Sequence, residues 1–179
     1  SMSRRHSDEL GRGPQWVFGY GSLIYKVDFP FLDRKRASIQ GWQRKFWQGS
    51  HDHRGTPESP GRVVTLMPKP EAVCVGVAYL VEPHVFEHLD HREKNGYERR
   101  SVRMLTLDDN ESVDCIVYVA DPHNHAFMGE ADERALAEVI RDSHGPSGSN
   151  RDYVLRLADA LAALGERDPH VEQLARLLR

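Results

Sequence analysis

The chain has 179 residues, 39% of them hydrophobic and 28% charged, with a formal net charge of −3. That length suits one domain with a real core and leaves little room for a second. The near-neutral charge gives no electrostatic footprint for nucleic acid or an acidic membrane surface. No apolar run approaches the roughly 18 residues a membrane span needs. The opening residues, SMSRRHSDELGRGPQ, lack the apolar stretch of a signal peptide. Cys74 and Cys115 make neither a disulfide framework nor a zinc spacing. Each sits in an apolar run and reads as a small buried hydrophobe, which fits a reducing, cytoplasmic setting.

Residues 1–14 are polar, carry Gly and Pro near their end, and are expected to form a disordered arm ahead of a single domain over 15–179. Trp16-Val17-Phe18 begins an apolar run that breaks at Gly19-Tyr20-Gly21-Ser22. Residues 42–47 predict a strand, 51–60 a loop, and 63–67 and 73–81 two further strands. In the last of these Val73, Val75, Val77, Tyr79 and Val81 share one face, and Cys74, Gly76, Ala78 and Leu80 the other, so both sides are apolar. Pro83 opens a short helix expected to run through Phe86 and Leu89 and to end near Asn95-Gly96. Strands follow over 98–107 and 112–120, joined by the turn chemistry of Asp108-Asp109-Asn110. From residue 131 the period becomes that of a helix. Leu136, Val139 and Ile140 mark one helix. Val154, Leu157, Leu161 and Leu164 mark a second, with Asn150 as its expected N-cap and Gly165 closing it. Asp168-Pro169 caps a third, containing Val171, Leu174 and Leu178. Strands first and helices last is the α+β pattern, and two-sided apolar strands imply a sheet curled into a closed or nearly closed barrel.

Four segments carry candidate chemistry. In Phe18-Gly19-Tyr20-Gly21-Ser22-Leu23, two glycines flank an aromatic, and successive backbone N–H groups in such a turn form an anion-binding concavity. A plain glycine-rich turn is the alternative. Ile24 stands where a dinucleotide fingerprint needs its third glycine, which argues against phosphate. In Asp90-His91-Arg92-Glu93-Lys94, a carboxylate at a helix C-terminus faces the negative end of the helix dipole. Partial burial would then move it toward the range of a general base, whereas a solvated helix end is the bland reading. His84-Val85-Phe86-Glu87-His88 matches the HxxEH pattern of inverted zinc peptidases, so a zinc-dependent hydrolase using His84 and His88 is a rival to surface histidines. Gly145-Pro146-Ser147-Gly148-Ser149-Asn150 reads as a helix-to-helix loop, with small residues that would let a ligand approach Tyr153 as a hydrogen-bond donor.

Six blocks in order, VFGYGSLIYKVDFP (17–30), FWQGSHDHRG (46–55), PGRVVTLMP (60–68), GVAYLV (76–81), REKNGYERR (92–100) and GPSGSN with RDYVLRLADAL (145–161), resemble the ChaC-like family of glutathione-specific γ-glutamylcyclotransferases. The resemblance runs from Trp16 to Leu164, with Tyr25 standing where a tryptophan is common. It implies a small mixed β-barrel flanked by helices, with no metal and no cofactor. It implies cleavage of glutathione to 5-oxoproline and cysteinylglycine, the catalytic glutamate falling on Glu93 and the substrate cradle on Val17, Phe18, Gly19, Tyr20, Gly21, Ser22 and Leu23. A non-catalytic regulator of cation transport, suggested by the family's historical name, is a third reading, opposed by Glu93 beside an intact YGSL loop. Glutathione carries a second carboxylate on its glycine. Arg54 and Arg62, which flank the polar 51–61 loop, are the candidate cations for it.

Overall fold

Strands that are apolar on both faces leave a sheet no side to give to water, and here the sheet closes on itself. In the computed structural model, which describes residues 13–91, 96–120 and 123–179, the strands are β1 (Gln15–Gly19), β2 (Asp33–Ser50), β3 (Gly61–Val81), β4 (Tyr97–Thr106) and β5 (Ser112–Ala120). They form a closed barrel in the order β1-β3-β2-β4-β5. β1 runs antiparallel to β3 and parallel to β5, and this parallel seam makes the barrel mixed. Around it lie α1 (Val85–Leu89), α2 (Glu133–Asp142), α3 (Asn150–Ala163) and α4 (Pro169–Leu178), with a small hairpin of β6 (His144–Gly145) and β7 (Gly148–Ser149) leading into α3. One core joins barrel residues such as Phe18, Ile39 and Val77 to Leu136, Leu157 and Leu174 of the helices. Cys74 and Cys115 are buried and free. Among the described residues no helix is long and apolar enough to cross a membrane. The expected N-terminal arm lies outside the described residues except for Gly13 and Pro14.

Two long strands replace what the sequence divides. β3 runs unbroken through Pro68 and Pro70, which separate two predicted strands. The pairing with β2 explains how. Register passes from Gln40↔Val73 to Trp42↔Pro68, so residues 69–72 bulge opposite Gly41, whose φ of 88° is the left-handed conformation glycine adopts freely. The prolines fall at this irregular corner, where ladder hydrogen bonds are already interrupted. β2 begins at Asp33, well before the predicted strand at 42, because β3 and β4 pair with its first half, which opens on the four charged residues Asp33 to Arg36 and gives no local strand signal. The α-helical turns of α1 stop at Leu89, short of the predicted end near Asn95-Gly96, and residues 92–95 lie outside the described residues. Gly96 itself has φ 90°.

Candidate functional site

The turn after β1 is held by its carbonyls. Tyr20 O accepts from the buried Arg44 Nε at 2.7 Å, Gly21 O from Ile24 N–H at 2.9 Å, Ser22 O from the N–H groups of Tyr25 and Lys26, and Leu23 O from Tyr79 Oη at 2.7 Å. Arg44 is anchored in turn by Asp168 at 2.8 Å and by the Val75 carbonyl. The N–H groups of Gly21, Ser22 and Leu23 open a single 3-10 turn, Ser22–Ile24, and have no hydrogen-bond partner among the described residues. Leading N–H groups of a helical turn are unpaired by geometry. With every carbonyl engaged, the turn presents fixed donors in sequence. Val17 and Phe18 precede it as core residues of β1, Gly19 and Gly21 are buried, and Ser22 and Leu23 are half-buried.

Tyr153 meets this turn from α3. A Cβ on Gly21 would stand 3.1 Å from its hydroxyl and 2.6 Å from Val64 Cγ2, so only glycine allows the approach. The Tyr153 hydroxyl accepts a long bond, 3.5 Å, from Val64 N–H, which leaves its own proton to donate. Burial pushes this phenol far above its usual pKa, with the phenols of Tyr25 and Tyr97 adding to the rise, so it remains a neutral donor. Its ring lies edge-on to Phe46 and beneath the Arg54 guanidinium, 5.5 Å from the ring centre.

Glu93 lies outside the described residues, but both flanks of its segment are tied down. Asp90 accepts from Tyr118 Oη at 2.6 Å and from Arg99 Nη1, which is 3.0 Å from both carboxylate oxygens. The carbonyl of the same Tyr118 accepts from Tyr20 Oη at 2.6 Å. One residue of β5 thus joins the near flank of the 92–95 segment to the glycine turn. On the far flank Gly96 packs against Asn124, and Tyr97 opens β4 close enough to Tyr153 to act on its pKa.

Known proteins share this sequence and this shape. The model of the ChaC-like protein family matches residues 15–179. The chain is 44% identical over 176 residues to γ-glutamylcyclotransferase 2-3 of Arabidopsis thaliana, covering 92% of this chain and 88% of that one. It is 38% identical over 168 residues to glutathione-specific γ-glutamylcyclotransferase 1 of Rattus norvegicus, covering 89% and 76%. The crystal structure of a yeast γ-glutamyl cyclotransferase specific to glutathione superposes with a TM-score of 0.86 at 32% identity, over 93% of this chain and 96% of that one. The chain belongs to the ChaC-like family of glutathione-specific γ-glutamylcyclotransferases. Its barrel with flanking helices is the fold of that family.

Within this ChaC-like fold the other predicted residues take varied places. His84 and His88 are exposed on the outer side of α1, His88 with its ring 3.7 Å from Asp28, while Val85, Phe86 and Leu89 face the core. Asn150, expected to cap α3, does not cap it. The Ser149 side chain accepts from Asp152 N–H, and Asn150 is fully buried in the first turn of the helix. From there Asn150 Oδ1 accepts from Arg62 N–H at 2.7 Å and Nδ2 donates to Arg62 O at 2.8 Å. Arg54 and Arg62 are both buried. Arg54 Nη1 donates to the Ser149 carbonyl at 3.1 Å and lies 3.8 Å from Asp152. Arg62 Nε and Nη1 are buried without a hydrogen-bond partner among the described residues. Arg44 and Tyr79, which fix the turn, gave no signal in the sequence. Arg44 stands in a strand between Gln43 and Lys45 and Tyr79 in an apolar strand, and only the barrel's closure brings them to the turn.

Proposed function

We propose that this chain converts glutathione to 5-oxoproline and cysteinylglycine by internal acyl transfer, with Glu93 as general base and then general acid. The free α-amine of the γ-glutamyl group attacks its own side-chain amide carbonyl. A new N–C bond closes the five-membered lactam, the bond to the cysteine nitrogen breaks, and no water is consumed. The amine reaches the enzyme mostly as an ammonium at neutral pH, so a carboxylate must take its proton and return it to the leaving nitrogen. Glu93 has that task by its position in the family's REK-x-GY block.

The observation that carries this reading is the turn with every carbonyl engaged and three successive N–H groups open. Fixed donors of this kind hold a carboxylate or a developing oxyanion without reorganising during the reaction. Holding a chain folded back on itself is most of the catalysis required, because well-oriented intramolecular attack is worth about 7–11 kcal/mol of barrier. Tyr153, neutral and in contact with Gly21, adds one more donor. Two buried free thiols accord with a cytoplasmic setting, where glutathione is abundant in its reduced form. Incubation with glutathione tests the proposal: equal amounts of 5-oxoproline and cysteinylglycine are expected, and unchanged glutathione would overturn it.

A further inference from the structure

We infer that Arg62 is the cation that holds the distal, glycine-end carboxylate of the γ-glutamyl substrate. This rests on the proposed function and names the group that reads the far end of its substrate. Arg62 is 8% exposed, and its Nε and Nη1 are buried without a hydrogen-bond partner among the described residues. A guanidinium offers five donors in a planar fork that matches a carboxylate in bidentate fashion. Burying that fork without an acceptor is unfavourable, and a bound anion is the acceptor that relieves it.

The other arginines with buried side chains each have a carboxylate partner, although Arg99 Nε and Nη2 also lack a hydrogen-bond partner among the described residues. Arg44 holds Asp168, Arg99 holds Asp90 through both oxygens, and Arg54 is spent on the Ser149 carbonyl, Asp152 and the Tyr153 ring. Among the described residues Arg62 has no carboxylate within ion-pair distance. Of the two candidates at the ends of the 51–61 loop, the structure therefore favours Arg62 over Arg54.

Arg62 also has a fixed position relative to the turn. Asn150 grips its backbone N–H and carbonyl, and one helical turn on Tyr153 takes the N–H of Val64. Two N–H groups directed to the same helix, two residues apart on a strand, put both side chains on one face. Val64 uses that face to meet Gly21. The Arg62 side chain therefore leaves β3 one pleat away, about 7 Å along the same face. In a γ-glutamyl tripeptide, the two residues beyond the scissile carbonyl also span about 7 Å when extended. A substrate whose reacting carbonyl lies at the Gly21 turn can thus bring its terminal carboxylate to Arg62.

The test compares glutathione with its C-terminal glycinamide on wild type, Arg62→Ala, Arg62→Lys and Arg62→Met. Arg62→Ala should lower kcat/KM for glutathione about 10- to 150-fold, the scale of a hydrogen bond to a charged group, and leave the amide nearly unchanged. Arg62→Lys should restore part of the preference for the acid. Arg62→Met keeps the volume and removes an unpaired buried charge, so without ligand it should melt at or above the wild-type temperature. An equal loss on acid and amide, or a clear fall in the melting temperature of Arg62→Met, would make Arg62 a structural residue and overturn the inference. If the wild type releases no 5-oxoproline, the proposed function falls, and calorimetric binding of the two peptides then decides the subsite. A wild-type preference for the acid that disappears in Arg62→Ala sustains it, and equal affinity or no binding of either peptide removes it.

Discussion

Gly21 is where the site leaves least room, and adding a single methyl there is an informative perturbation. The Cβ of Gly21→Ala would stand 2.6 Å from Val64 Cγ2 and 3.1 Å from Tyr153 Oη. The first distance lies about 1 Å inside ordinary carbon–carbon contact. Val64 is 4% exposed, its N–H is bonded to Tyr153, and β-branching stiffens its side chain, so it yields little. Overpacking of this kind costs about 1–3 kcal/mol. For a chain of this size that lowers Tm by about 2–4 °C for each kcal/mol. Val64→Ala alone should also destabilise, by about 0.8 kcal/mol for each buried methyl lost plus a cavity contribution. Together the two changes should be less harmful than their sum, because the second removes the atom the first strikes, with a coupling of roughly 1 kcal/mol or more. Denaturant unfolding of the four proteins measures this, and kcat/KM on the same samples reports whether the turn's donors have moved. Additive effects within about 0.5 kcal/mol would refute the close approach of Gly21 to Val64. The larger Gly21→Val change is predicted to cost both binding and stability, which is why alanine with the relieving Val64→Ala is the cleaner probe.

Glu93→Gln should leave circular dichroism and melting unchanged while lowering kcat by about 10²-fold or more, since an amide cannot accept the ammonium proton; near-normal turnover would remove Glu93 from the mechanism. His84→Ala with His88→Ala should retain turnover, and wild-type activity should be insensitive to chelators, because the proposed chemistry activates no water. One tightly bound zinc per chain with chelator-sensitive turnover would restore the hydrolase reading. Burial pushes the Cys115 thiol up to about 12 from its ordinary 9.0, so the folded protein keeps a proton that the unfolded chain releases. The resulting stability is complete below about pH 9 and is lost as pH rises toward 12. Alkaline unfolding curves should fall less steeply across that window for Cys115→Ala than for wild type, and parallel curves would contradict this.

The parts of the fold that follow from local chemistry were legible in the sequence. β5 is an apolar run buried on both faces from Cys115 to Ala120, Asn110 takes the positive φ its turn needs, and Asp168 caps α4 as its spacing with Pro169 indicates. What depends on distant partners was not. The first half of β2 carries Asp33, Arg34, Lys35 and Arg36, and it is a strand because β3 and β4 pair with it on either side. Asn150 has the composition of a cap but serves as a brace for Arg62, a contact 88 residues away in sequence. The glycine turn was visible as a pattern, though its spacing fitted an idle turn equally well. The closure of the barrel brings Arg44 and Tyr79 to the turn's carbonyls and Tyr153 to Gly21, contacts that no local pattern indicates. Glu93 is proposed through family resemblance alone, since a charged cluster at a helix end is common and reactive only in the right surroundings.

The central claim is that the substrate's own amine, and not water, displaces cysteinylglycine. Turnover of glutathione in ¹⁸O-labelled water, with mass analysis of the γ-glutamyl product, tests it most directly. The account predicts 5-oxoproline carrying no heavy oxygen, formed in equal amount with cysteinylglycine. Glutamate labelled at its side-chain carboxylate would show that water attacks the amide, and would contradict the mechanism.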